Sequence, residues 1–144
     1  MLYLDTSLLV TVVVSESETA QARQWLSAAP VGHPVVSPWV LTEFASALSV
    51  RQRSLSLDSA GRQQAEAALV TLLADVLTVV PLQTAAFARS QAMCGRHELG
   101  LRAPDALHLA CAEALDAVLC TRDAVQARAA ASFGISTQVV GGQP

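Results

Sequence analysis

The chain has 144 residues, 52% of them hydrophobic and 15% charged, with 26 Ala, 20 Leu and 17 Val; there is ample apolar surface for one core, and disorder of the whole chain is excluded. Its nine basic residues are all arginines, against 12 acids, for a formal charge of −3. With no lysine, a Walker-type phosphate loop, a Schiff base and a lysine general base are excluded, and the acidic balance argues against a broad electrostatic grip on a duplex, though not against reaching phosphate through bound metal.

Taken in chain order, Met1 to Leu4 is a short apolar run that ends at Asp5 and reads as a first strand. Ser7 to Val14 is ambiguous, because its β-branched residues favour a strand; its place just after Asp-Thr-Ser favours a helix, capped by Thr6 or Ser7. Val35-Val36 after Pro34 reads as a second strand, and Ser37-Pro38 opens a helix before Trp39. Asp58-Ser59 opens the helix that includes Gln63 to Leu73, and Val76 to Val80 before Pro81 reads as a third strand. Gly100 fits a helix end, and Pro104 starts a helix just ahead of Asp105. In that helix Leu107, Ala110, Cys111, Ala114 and Leu115 recur at the spacing of a core-facing stripe. Val118 to Cys120 is a fourth strand, Gly134 a further helix end, and Ser136 to Val140 a fifth strand. All five runs read as buried strands. Strands alternating with helices imply parallel pairing with crossover helices on both faces, an α/β/α sandwich with four or five central strands. Residues 1–144 are expected to form a single domain, with Gly141 to Pro144 a loose tail.

The longest nearly apolar stretch, Leu8 to Val14, falls far short of the roughly 20 residues of a membrane span, and no positive charge precedes it as in a signal peptide. Cys94, Cys111 and Cys120 are odd in number and irregularly spaced, which suits free thiols in a reducing compartment. The expectation is a cytoplasmic protein with no membrane association. Cys94 and His97 have a spacing that fits two zinc ligands, but no second pair follows, so no zinc site is read here.

Ligands of open α/β sheets bind outside the carboxyl ends of the strands, so acids placed there carry most weight. Asp5 ends the first strand, Glu43 lies in the first turns after the second, Asp105 opens its helix behind Pro104, and Asp123 follows the fourth strand. Any one of them alone reads as a helix cap or a surface charge. Four clustered carboxylates would instead repel one another and raise their own pKa values unless a cation compensates them. Hard oxygen donors of this kind suit magnesium or manganese rather than zinc. Such metals support hydrolysis of a nucleic-acid backbone. With the four set aside, eight acids remain against nine arginines, so the negative excess is concentrated in one place.

Leu-Tyr-Leu-Asp5-Thr-Ser, Glu43 within Val-Leu-Thr-Glu-Phe-Ala, Pro-Asp105-Ala-Leu-His-Leu-Ala and Leu-Cys-Thr-Arg-Asp123 together resemble the PIN-domain family. Within it they are most similar to the VapC-type toxin ribonucleases of type II toxin-antitoxin systems, over nearly the whole chain. The resemblance implies a PIN-like α/β/α fold, magnesium or manganese, and cleavage of single-stranded RNA. It assigns Asp5, Glu43, Asp105 and Asp123 as the metal-holding catalytic acids, with Thr6 or Thr121 supporting them through hydroxyl hydrogen bonds. It further implies a homodimer, and an antitoxin protein that covers the site. The continuation Asp123-Ala124-Val125-Gln126 lacks the aromatic residue that often follows the final acid in relatives.

Arg102 and Arg122 flank two of the acids and are candidates for holding RNA phosphates or for pairing with carboxylates. His108, three residues after Asp105, is a candidate substrate contact or a packed scaffold histidine. Trp25, Trp39 and Phe44 suit the core or a dimer surface, so base stacking on an aromatic platform is not expected. The alternatives are a noncatalytic PIN-fold domain that binds a partner, a housekeeping nuclease with the same chemistry, and a phospho-receiver, against which the missing lysine weighs.

Overall fold

The brief apolar runs become strands because each is too short to bury a helical stripe, while the longer Ala-, Leu- and Gln-rich segments between them are long enough to do so. In the computed structural model, which describes residues 1–14, 17–28 and 33–141, the order is β1 (Leu2–Leu4), α1 (Thr6–Val13), α2 (Thr19–Ser27), β2 (Pro34–Val36), α3 (Pro38–Arg53), α4 (Ser59–Asp75) and β3 (Thr78–Val79). There follow α5 (Thr84–Cys94), a 3-10 turn (His97–Leu99), α6 (Ala103–Ala114), β4 (Val118–Thr121), α7 (Ala124–Ala131) and β5 (Thr137–Val139). The five strands form one parallel sheet in the order β3-β2-β1-β4-β5. Helices cover both of its faces, giving the expected α/β/α sandwich.

The centre of the sheet is its most buried part. Tyr3 and Leu4 of β1, Val36 of β2, and Leu119 and Cys120 of β4 are buried, and register pairs Tyr3 with Val35 and Leu119, and Leu4 with Cys120. Leu8, Leu9 and Val12 of α1, Val40, Phe44 and Leu48 of α3, and Leu109 of α6 fill the layers around them. The expectation of five buried strands fails at the edges. Thr78 and Val79 of β3 are exposed, as are Gln138 and Val139 of β5, because each has a neighbouring strand on one side only. Burial there depends on strand order, which composition does not encode.

Helix starts follow local capping chemistry. Ser37 accepts the Val40 N–H at 3.5 Å with Pro38 at the first helical position, and Asp58 accepts the Gly61 N–H at 2.7 Å. Two starts differ from expectation. The cap of α1 is Asp5, not Thr6 or Ser7, its carboxylate accepting the Leu8 N–H at 2.9 Å. Helix α6 begins at Ala103, so Pro104 lies inside its first turn. Gly100 and Gly134 have φ of 64° and 72°, as helix-ending glycines do. Of the expected tail, Gly141 is described and residues 142–144 lie outside the described residues.

The three cysteines are unpaired; burial pushes the Cys120 thiol up to about 12 and raises that of Cys111. Among the described residues no helix is long and apolar enough to cross a membrane.

A Cβ at Gly134 would meet nothing within 4 Å, so Gly134→Ala pays only for the left-handed backbone. The expected loss is about 1 kcal/mol, read as a lower urea midpoint at unchanged m-value.

Candidate active site

Parallel strands share one carboxyl edge, and the order β3-β2-β1-β4-β5 reverses direction at β1, which opens a crevice between the ends of β1 and β4. Asp5 follows β1 and Asp123 follows β4; Asp105 lies in the first turn of α6, and Glu43 in the second turn of α3 after β2. The topology therefore carries all four expected acids to this edge.

Asp5 is 3% exposed. Its Oδ1 accepts the Leu8 N–H at 2.9 Å, its Oδ2 accepts the Thr121 hydroxyl at 2.7 Å, and the Ser7 hydroxyl lies 2.8 and 2.9 Å from its two oxygens. Both hydroxyls are themselves oriented by backbone: Ser7 Oγ accepts the Arg122 N–H at 3.0 Å and Thr121 Oγ1 accepts the Asp123 N–H at 2.9 Å. Each has thus accepted one proton and turns its own toward Asp5. Burial still raises the Asp5 carboxyl above the ordinary range, opposed by His108 and by these hydrogen bonds.

Glu43 is held from the other side of Thr6. Its Oε2 accepts the Thr6 hydroxyl at 2.6 Å and lies 2.6 Å from His108 Nε2. His108 is 3% exposed, and its Nδ1 lies 3.2 Å from the Tyr3 hydroxyl, which is 2.9 Å from Ser37 Oγ. Through Ser37, Tyr3 and the two ring nitrogens of His108, one run of hydrogen bonds extends from the cap of α3 to Glu43. Burial pushes the Glu43 carboxyl up, but the bonds from His108 and Thr6 outweigh it and leave it below the usual range.

Asp105 and Asp123 are also bound to helix starts. The Asp105 carboxylate accepts a long bond from the Arg102 N–H, 3.4 Å, and Asp123 Oδ1 accepts from the Val125 and Gln126 N–H groups at 2.7 and 3.0 Å. Burial raises the Asp105 carboxyl first, and the charges of Asp123 and Glu43 add to it. Asp105 is where the mutual repulsion of the acids is felt. Among the described residues no three His, Cys, Asp or Glu side chains stand close enough to enclose an ion as they are. The donor set itself is all carboxylate, with charge in excess of the local cations, and in chemistry it fits a hard divalent ion.

Of the other expected site residues, Thr6 and Thr121 bond Glu43 and Asp5 as described, Arg102 is exposed at the start of α6, and Arg122 pairs with Glu18. Sequence reasoning missed Ser7, Tyr3 and Gln126. The signal for Tyr3 was a hydroxyl in a buried strand, which demands a partner. Gln126 is buried, and its Nε2 reaches the Asp105 carbonyl at 3.5 Å, joining α7 to α6.

The PIN domain profile matches residues 2–132. No curated protein matches the chain. Among solved structures it is similar to VapC20 of Mycobacterium tuberculosis, a toxin that cleaves the sarcin-ricin loop, with 20% identity over 90% of this chain and 95% of that one and a TM-score of 0.70. It is similar to VapBC2 of Rickettsia felis, solved on a DNA fragment from its promoter, at 16% identity, 97% and 99% coverage and a TM-score of 0.72. A toxin-antitoxin complex from Klebsiella pneumoniae gives 22%, 85% and 87%, and 0.60. At these identities the likeness is one of fold.

Asp5 and Asp105 should respond oppositely to neutralisation. Asp105→Asn relieves a carboxylate raised by burial and by its neighbours, so in EDTA at pH 7 its Tm is expected to rise by about 2–4 °C, the equivalent of ~1 kcal/mol at this size. A raised carboxyl binds protons in the folded state that the unfolded state has lost, so its penalty grows as pH climbs from the ordinary value of about 4. The gap between the two proteins should therefore close toward pH 4. Asp5→Asn replaces three accepted bonds with a group that has one oxygen and two donors, and is expected to cost about 1–3 kcal/mol. Thermal melts across pH check both.

Proposed function

The chain belongs to the PIN-domain family, and from that premise we propose that it is a magnesium- or manganese-dependent endoribonuclease, the toxin of a toxin-antitoxin pair. The observation that carries the reading is the Asp105 carboxyl, half-buried at the carboxyl edge of a parallel sheet and raised first by that burial and then by the charges of Asp123 and Glu43. Carboxylates gathered against their own repulsion are what a divalent cation compensates. Asp5, Glu43, Asp105 and Asp123 would hold it. A bound divalent ion supplies charge to neutralise a phosphodiester and to make water acidic enough to act as the nucleophile.

The chain's own residues do the positioning. Ser7, Thr121 and the Leu8 N–H fix Asp5; Thr6 and His108 fix Glu43, leaving its Oε1 for a ligand. Arg122 and Arg102 lie beside the acids as phosphate contacts. The toxin assignment rests on the structural relatives, several of which are toxin-antitoxin assemblies; by that analogy the partners are RNA, a cognate antitoxin that covers the edge, and a second copy of the chain, in the cytoplasm.

The purified chain is expected to cleave single-stranded RNA with magnesium or manganese and not in EDTA. Asp105→Asn and Glu43→Gln should each reduce cleavage by at least ~100-fold, beyond the roughly 10–100-fold that loss of a ligand's hydrogen-bond partner brings, which is the range expected for Thr6→Ala. Full activity in both acid variants, or cleavage indifferent to metal, overturns the proposal.

A further inference from the structure

Glu43 is held differently from the other three acids. Asp5, Asp105 and Asp123 each accept a backbone N–H at a helix start, whereas among the described residues Glu43 is bound by side chains alone. Its Oε2 has the Thr6 hydroxyl and His108 Nε2 both at 2.6 Å, and these two partners lie 3.3 Å from each other. Two partners take both lone pairs of that oxygen, so a ligand is left with Oε1. Asp123 is in a similar condition, its Oδ1 accepting two N–H groups, and so is Asp105, whose Oδ2 accepts one.

The imidazole that holds Glu43 is itself fixed from behind. His108 is buried, and its Nδ1 lies 3.2 Å from the hydroxyl of Tyr3, whose ring stands 5.9 Å away at 55°. Tyr3 is fully buried in the central strand, and the same hydroxyl lies 2.9 Å from Ser37 Oγ, at the cap of the helix that carries Glu43. Tyr3 thus touches both the start of α3 and the ring that binds the acid. With a partner at each nitrogen, the ring cannot turn without losing one. The direction of Oε1 follows from this, and direction matters to a cation. Magnesium demands near-octahedral geometry at about 2.0–2.1 Å and keeps several waters, which single carboxylate oxygens suit. Calcium collects about six to eight oxygens and readily takes both oxygens of one carboxylate.

We propose that Tyr3 is a positioning residue of the acid site: through His108 it keeps Glu43 a one-oxygen donor, and together with Thr6 it makes the site prefer a small six-coordinate ion to calcium. The inference rests on the metal reading above and adds to it the residues that select the ion.

The test is manganese bound to the full chain, followed by electron paramagnetic resonance and displaced with calcium, with 1H–15N spectra of the His108 ring recorded in EDTA alongside. The unsubstituted chain should hold manganese at least about tenfold more tightly than calcium. Tyr3→Phe keeps the ring and removes the hydroxyl; Thr6→Val keeps the shape of its side chain and removes the other partner of Oε2. Each should weaken manganese binding about tenfold, the lower end of what loss of a ligand's hydrogen-bond partner brings, and leave calcium binding unchanged or tighter. Thr6→Ser, which retains a hydroxyl, should retain the preference. In EDTA, Tyr3→Phe should shift the Nδ1 signal of His108 and Glu43→Gln the Nε2 signal. A preference unchanged in both Tyr3→Phe and Thr6→Val, or His108 signals that neither Tyr3→Phe nor Glu43→Gln moves, overturns the positioning role while leaving the metal reading intact. Absence of saturable manganese binding by the unsubstituted chain overturns the metal reading and the ion preference with it.

Discussion

The arrangement at the carboxyl edge depends on one buried carboxylate. Asp5 ends the central strand, caps α1 through the Leu8 N–H, and takes the Thr121 hydroxyl from the end of β4. Thr121 in turn accepts the N–H of Asp123, and Ser7 accepts that of Arg122. Two hydroxyls thereby translate the position of one carboxylate into the path of the chain from β4 into α7. Three donors converge on it and His108 lies near, and together they oppose the cost of burying its charge.

Each acid also has a local reason to be where it is. Asp5 and Asp123 cap helices, and Asp105 sits in the first turn of α6 with the N-terminal N–H groups before it. Capping explains each residue separately, and the positive ends of three helices partly offset the charge of the group. It does not explain why they share an edge, nor why Glu43, in the second turn of α3, is held by a histidine and a threonine from two other elements. The parallel sheet supplies that convergence, because every strand delivers its following residues to the same side.

What could be read from the residues alone follows the range of the interaction concerned. Ser37-Pro38 and Asp58-Ser59 mark their helices because capping acts within three residues, and the strands end within a residue or two of their apolar runs. The cap of α1 could not be settled the same way, since Asp5, Thr6 and Ser7 are all competent caps and the choice is made by Thr121, 116 residues away. His108 looked like a residue for substrate or scaffold; its place is decided by Glu43, 65 positions earlier, and by Tyr3. Glu18 has no local signal of its partner, because the fold brings it to Arg122, 104 positions later. The exposed faces of β3 and β5 were hidden for a similar reason, because edge position follows from strand order.

The central claim is that the four carboxylates act as one divalent-cation site. Titration of the full chain with manganese, read by electron paramagnetic resonance as loss of the free-ion signal, tests it without any assumption about substrate. Saturable binding that is lost in Asp105→Asn and unaffected by substitution of a remote acid such as Glu66 is the predicted result. Absence of saturable binding, or binding that survives removal of Asp5, Glu43, Asp105 and Asp123 in turn, would contradict it.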